Sequence, residues 1–239
     1  MGGFSATSNV YAGYLYGIPL AGTCAHSFIM SFEAEEDMAQ SRTLAPKAGG
    51  EPIDLLEACM RYREELGWQG TVLKELYAFI SFAHAYPNAF ASLVDSYNTI
   101  ESGVKNCILV SLVLHDLGYK AVGIRLDSGD LALLSQQAKA LFAEISERYG
   151  KDLTHMKVVA SNDINEKVIR ELNAANHEID VFGIGTNLVT CQAQPALGMV
   201  YKVCEFKGGP RIKISEEPGK TTIAGAKSVL RAKNNQGEP

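Results

Sequence analysis

The run Ala121-Val122-Gly123-Ile124-Arg125-Leu126-Asp127-Ser128-Gly129-Asp130-Leu131 opens as a buried-type strand, then sets an arginine, two aspartates and a glycine turn close together. Strand side chains alternate between faces, so Gly123, Arg125 and Asp127 share one side and Ile124 and Leu126 the other. Gly123 leaves room in front of the charges. Ser128-Gly129-Asp130 then turns into a helix expected over 131–149, with Asp130 as its N-cap. A strand that ends in charges and hands over to a helix is where α/β proteins place their chemistry.

The same grammar extends outward in both directions. Apolar spacing and stop signals predict helices over 7–16, 54–66 (stopped by Gly67), 73–86 (stopped by Pro87), 105–117 (closed by Gly118) and 165–175. Strands are expected over 18–22, 89–95, 119–127, 156–160 and 179–184. Residues 33–51 read as a solvated surface loop, and 199–206 with 211–214 as an antiparallel pair across Lys207-Gly208-Gly209-Pro210. Alternating strands and helices imply a parallel sheet or barrel. Each strand ends in small or polar residues: Gly22-Thr23, Asp95-Ser96, Arg125 to Asp127, Ser161-Asn162-Asp163 and Gly185-Thr186. In a parallel barrel such ends gather on one catalytic face.

Composition narrows the classes. The chain has 239 residues, 46% hydrophobic and 21% charged, enough for a sizeable core. Its net charge of −5, without a basic run interleaved with aromatics, argues against a nucleic-acid partner. No apolar stretch reaches the roughly 18–20 residues needed to span a bilayer, and the N-terminus lacks a signal-peptide pattern. The scattered cysteines 24, 59, 107, 191 and 204, odd in number and without a C-x-x-C pair, read as reduced thiols of a cytosolic protein. Both chain ends look truncated.

Four groups could carry chemistry. Arg125 is a fixed, planar cation that suits a carboxylate or phosphate in two-point contact, or a structural ion pair with Asp127 or Asp130. Asp127 is placed to face a developing positive charge or to order a sugar hydroxyl. Gly183-Ile184-Gly185-Thr186 offers unhindered N–H groups and a hydroxyl at a late strand end, which suits a phosphate or a plain tight turn. Among the histidines, 84 and 115 fall in helical patterns and 155 and 177 in polar loops. His26, beside Thr23 and Ser27, has a site-like setting in which a neutral imidazole acts as nucleophile or base.

Taken together, Gly22-Thr23-Cys24-Ala25-His26-Ser27, Val122 to Leu131, Ser161-Asn162-Asp163 and Gly183-Ile184-Gly185-Thr186-Asn187-Leu188-Val189-Thr190 resemble the nicotinate phosphoribosyltransferases. The resemblance covers essentially the whole chain. It implies the irregular TIM-like α/β barrel of type II phosphoribosyltransferases, partial here over residues 1–198, with 199–239 starting a return to a second, β-rich domain. It also implies the joining of nicotinate to phosphoribosyl pyrophosphate with ATP hydrolysis and Mg²⁺, in a cytoplasmic homodimer, as the entry step of NAD synthesis from nicotinate. In that frame Arg125 grips the nicotinate carboxylate, with Thr23 and Ser27 lining the pocket and Asn162 nearby. Gly185 and Thr186 bind the donor's phosphate. His26 is phosphorylated by ATP, and Asp127 stabilises the oxocarbenium-like ribose. A family N-terminal domain, with an aromatic residue that stacks on the nicotinate ring, has no counterpart here. The alternatives are a nicotinamide-using relative, and an inactive truncated form that only binds or pairs.

Overall fold

The computed structural model describes residues 2–38, 41–189, 201–214 and 220–230. Its centre is a parallel sheet of four strands in sequence order: β1 (Ala91–Leu93), β2 (Gly123–Leu126), β3 (Lys157–Ala160) and β4 (Val181–Phe182). Register is set by Leu93 opposite Arg125, Leu126 opposite Ala160, and Ala160 opposite Phe182. Helices α1 (Leu55–Glu65) and α2 (Leu73–Ala85) precede the sheet. Helices α3 (Lys105–Asp116), α4 (Leu131–Tyr149) and α5 (Glu166–Ala174) make its crossovers. The arrangement is α/β, as expected.

Local signals explain the helix ends. Asp54, Asp130 and Asn165 cap α1, α4 and α5 by accepting the N–H groups of Glu57, Leu133 and Val168 at 2.9, 3.0 and 3.0 Å. Gly118, at φ +80°, takes the left-handed turn that closes α3. Helix α3 is the most enclosed element: every residue from Asn106 to Leu114 is buried, packed against α1 and α2. On β2, Ile124 and Leu126 are fully buried on the apolar side, whereas Arg125 keeps partial exposure.

Four expectations need correction. The strand expected over 119–127 pairs only from Gly123, and Gly123 is not glycine to clear space before the charges. A Cβ there would stand 1.9 Å from the Lys157 carbonyl oxygen of β3, with φ at +155°. Residues 18–22 form no sheet strand; Leu20 makes a single parallel bridge to Thr7 and stays 54% exposed. Residues 33–51 are not a bland loop. They hold a 3₁₀ turn (Glu35–Met38) with Met38 buried, and Thr43–Leu44 pairs antiparallel with Ile53–Asp54. The late antiparallel pair is real but short, Glu205–Phe206 against Gly209–Pro210; residues 199 and 200 lie outside the described residues.

Helix α3 is entered through a π-helical turn, Thr99–Val104, that no local pattern announces. Gly103 in that turn lies against the backbone of Val94, directly after β1.

Candidate active site

Parallel strands put all their C-terminal ends on one edge, and the ladder continues past each. Val94 N–H donates to the Arg125 carbonyl at 3.1 Å, Ser161 to Leu126 at 2.9 Å and Gly183 to Ala160 at 2.8 Å. This carries Asp95, Asp127, Ser128, Ser161 and Gly183 to the same rim.

Arg125 lies at the middle of that rim. Its Nε donates to Ser161 Oγ at 2.6 Å, Nη1 to Thr23 Oγ1 at 3.3 Å and Nη2 to Asp127 Oδ1 at 3.2 Å. Ser161 Oγ donates in turn to Asp127 Oδ1 at 2.9 Å. The guanidinium plane is thus clamped from three sides, while a further N–H on each Nη nitrogen is not used in these bonds. The ion pair with Asp127 is formed, through Nη2 at 3.2 Å.

Next to it stands His26, 5% exposed at the start of the short helix His26–Ile29. Its Nε2 lies 3.0 Å from Asp95 Oδ1, and its Nδ1 lies 4.0 Å from Asp127 Oδ2. Ser128 Oγ donates to the other Asp95 oxygen. Burial works to raise the Asp95 pKa. The hydrogen bond and charge of His26, the Ser128 hydroxyl and the Lys213 charge outweigh it and hold the carboxyl below its ordinary value. Asp95 is therefore a carboxylate, placed to accept a hydrogen bond from His26 Nε2.

The expected site residues are thus distributed as follows. Thr23, His26, Arg125 and Asp127 form one connected network. Asn162 joins it through Lys220, whose Nζ donates to Asn162 Oδ1 at 3.0 Å and to the Asp127 carbonyl at 3.1 Å. Ser27 is half-buried beside His26 and makes none of these bonds. Gly183 abuts Ser161, where a Cβ would meet that side chain's Cβ at 3.2 Å. Gly185 and Thr186 follow on the same rim, exposed, as the chain enters the turn Thr186–Val189. A shallow concavity of about 560 Å³ borders them, lined by Asn165, Glu166, Lys167, Arg170 and Asn187 rather than by His26 or Arg125.

Cys24 lies in the same region, but burial raises its pKa, which keeps the thiol protonated and makes it a poor nucleophile. Three of the remaining histidines make local bonds: His84 to the Thr43 carbonyl, His155 to the Ala121 carbonyl and His177 to Asn173.

Comparison with known proteins fits this geometry. The family model described as "Nicotinate phosphoribosyltransferase (NAPRTase) family" matches residues 1–238. The chain belongs to the nicotinate phosphoribosyltransferase family. It is 50% identical over 240 residues to the nicotinate phosphoribosyltransferase of Dictyostelium discoideum, covering 100% of this chain and 40% of that protein. It is 41% identical to the Homo sapiens protein, covering 100% of this chain and 46% of that one. The crystal structure of human nicotinic acid phosphoribosyltransferase superposes with a TM-score of 0.70 at 38% identity, over 77% of this chain and 38% of that chain. A Vibrio cholerae nicotinate phosphoribosyltransferase structure, 18% identical with a TM-score of 0.60 over 91% of this chain and 44% of that one, shares the fold. The chain thus spans less than half the length of these relatives.

Several residues of this family member's rim escaped the sequence reading. Asp95 and Ser161 stood in the strand-end pattern yet were not singled out; their signal was position alone. Lys213 carried a misleading one. In Arg211-Ile212-Lys213-Ile214 alternation expects the isoleucines inside, but Lys213 is 1% exposed while Ile212 and Ile214 are 43% and 51% exposed.

Proposed function

We propose that this chain carries the pyridine-binding and phosphoribosyl-transfer groups of a nicotinate phosphoribosyltransferase. The reaction joins nicotinate to phosphoribosyl pyrophosphate and releases nicotinate mononucleotide and pyrophosphate, coupled to ATP hydrolysis. It opens NAD synthesis from nicotinate. The observation that carries this reading is the clamped Arg125 guanidinium at the strand ends, beside the His26–Asp95 pair. A carboxylate is the ligand such a fork selects.

In the transfer, the pyridine nitrogen attacks ribose C1′ as the C1′–oxygen bond to pyrophosphate breaks, and the bonding pair leaves with the pyrophosphate. Arg125, with Thr23 and Ser27 at its edge, holds the nicotinate carboxylate and so fixes the direction of the ring nitrogen. Asp127 stabilises positive charge that develops on the ribose. Gly185 and Thr186 meet the donor's phosphate, with Asn162 between them and Asp127. His26 accepts the γ-phosphoryl group of ATP on Nδ1 as ADP leaves. The new negative charge then reshapes the donor site until the phosphoryl group is lost to water. Among the described residues, no three His, Cys, Asp or Glu side chains meet as a metal site. Mg²⁺ bound together with the donor would neutralise charge on the pyrophosphate. A cytosolic homodimer completes the reading, in keeping with unpaired Cys24, Cys59, Cys107 and Cys204.

Calorimetric titration of nicotinate and nicotinamide against the wild type and Arg125→Ala tests it. Loss of a paired carboxylate contact is expected to weaken nicotinate by a few kcal/mol (about 2–3), with nicotinamide little affected. Unchanged nicotinate affinity in the variant would refute the assignment, and selective loss of nicotinamide would favour the amide-using relative.

A further inference from the structure

Ser161 touches both charged members of the Arg125–Asp127 pair. It follows β3 directly, and its backbone N–H donates to the Leu126 carbonyl at 2.9 Å, one step past the paired residues of β2. Sheet register, rather than a loop, therefore fixes where its Cβ stands. On the other side Gly183 leaves the room that the side chain uses, since a Cβ there would lie 3.2 Å from the Ser161 Cβ.

A hydroxyl has one proton, and its neighbours settle where this one goes. Arg125 Nε–H can only donate, and it does so to Ser161 Oγ at 2.6 Å. The Ser161 proton then needs an acceptor. Asp127 Oδ1 lies at 2.9 Å and the Leu126 carbonyl at 3.5 Å, so the carboxylate takes it. Asp127 Oδ1 also accepts Arg125 Nη2 at 3.2 Å, which closes a ring of guanidinium, hydroxyl and carboxylate. The Nε bond is the shortest of the three that hold the guanidinium; those to Thr23 and Asp127 are 3.3 and 3.2 Å. Removing the hydroxyl leaves the fork on its two longer bonds, free to turn about them. The ring also uses Oδ1 twice and leaves Oδ2 on the side of His26, whose Nδ1 is 4.0 Å away.

We propose that Ser161 is a positioning residue for recognition of the pyridine carboxylate, whose hydroxyl holds the Arg125 fork in the plane that presents its remaining Nη N–H groups to the ligand. This rests on the reading of function given above, in which Arg125 grips nicotinate. Ser161 acts through Arg125 and needs no contact with the ligand. The same hydroxyl fixes which Asp127 oxygen is left for the ribose.

Calorimetry with nicotinate and with nicotinamide compares the wild type, S161A and S161T, and the melting temperature of each unliganded protein is recorded in parallel. S161A is expected to bind nicotinate about tenfold or more weakly, with nicotinamide within about twofold of wild type. S161T keeps the hydroxyl and should regain most of the nicotinate affinity. Nicotinate affinity in S161A within about twofold of wild type overturns the proposal. So does an equal loss for both ligands, the mark of a serine that only supports the fold. Should S161A not fold, proton exchange at Arg125 Nε in the wild type decides, read by ¹⁵N NMR. It must be slower than at Arg170, whose side chain is 77% exposed, and an equal rate refutes the assignment. Arg125→Ala is run beside these variants. Nicotinate binding that depends on Arg125 but not on Ser161 strikes this inference alone, whereas binding that ignores Arg125 strikes the functional reading.

Discussion

Glu75 shows how one side chain can set the pH response of this protein. It is fully buried in α2, with Oε2 accepting from Ser102 Oγ at 2.5 Å and Asn106 Nδ2 at 3.0 Å. Burial pushes its pKa up to about 8 from an ordinary 4.5, against the pull of those two donors. The folded protein therefore binds a proton that the unfolded chain has released, and stability falls as pH rises between those two values. Below the unfolded value the contribution is complete; above the folded one it is gone. Urea unfolding across this window should show the wild type losing on the order of a few kcal/mol. Glu75→Gln keeps the shape and hydrogen-bonding capacity without the proton, and should flatten the slope. An equally steep slope in the variant would show that another group titrates. Glu75 reads as an ordinary first-turn helix acid in the sequence. Its burial arises only when α2 packs against α3, which no local pattern contains.

At the level of elements, the π turn Thr99–Val104 and β1 are joined by contact with no tolerance. A Cβ on Gly103 would lie 1.9 Å from the Val94 carbonyl oxygen and 2.6 Å from its carbon, both backbone atoms that cannot rotate away. Gly103→Ala must push apart the turn and the strand end that carries Asp95, at a cost of about 3 kcal/mol or more. Denaturation with urea measures it, and a change below about 0.5 kcal/mol would mean that the close approach relaxes freely. The Asp130 cap is a milder case: Asp130→Ala removes one acceptor from the start of α4 and should cost about 1 kcal/mol. The contrast shows what was legible. The Asp130 cap, the Gly118 closure and the long helices α1 to α5 follow from residues adjacent in sequence, and the helices were expected within a residue or two. Strand lengths were overestimated because pairing, not propensity, ends a strand; Gly123 was recognised, but for the wrong reason. The acidic run after Phe32 looked like solvated loop, yet Asp37 accepts the N–H groups of Glu33 and Ala34 and folds it into a turn that buries Met38. Arg125 and Asp127 stood out in the sequence as charges at a strand end, and His26 by its setting beside Thr23 and Ser27; the structure joins Arg125 to Asp127 and Thr23 and sets His26 against Asp95. Lys213 was not, since its side chain breaks the alternation rule.

Across the whole molecule, the sheet and the described late residues, 201–214 and 220–230, are held by different forces. The sheet and its helices share one apolar core, in which Ile124, Leu126, Val158 and Ala160 are wholly buried. The late segment buries little apolar surface: Tyr201, Ile223, Val229 and Leu230 are 83%, 78%, 99% and 90% exposed. Its ties to the rest are polar, namely Lys207 to Asp37, Arg211 Nε to Glu33 at 3.3 Å, and Lys220 to the Asp127 carbonyl and Asn162. Charge contacts near the surface weaken as salt shortens the Debye length from about 14 Å to about 4 Å between roughly 0.05 and 0.5 M, whereas apolar burial does not weaken in this way. Amide hydrogen exchange at these two salt concentrations should therefore accelerate across residues 201–214 and 220–230 and stay unchanged in β2 and α3. Equal exchange in the late segment at both salt concentrations would show that packing, not charge, fixes it to the sheet.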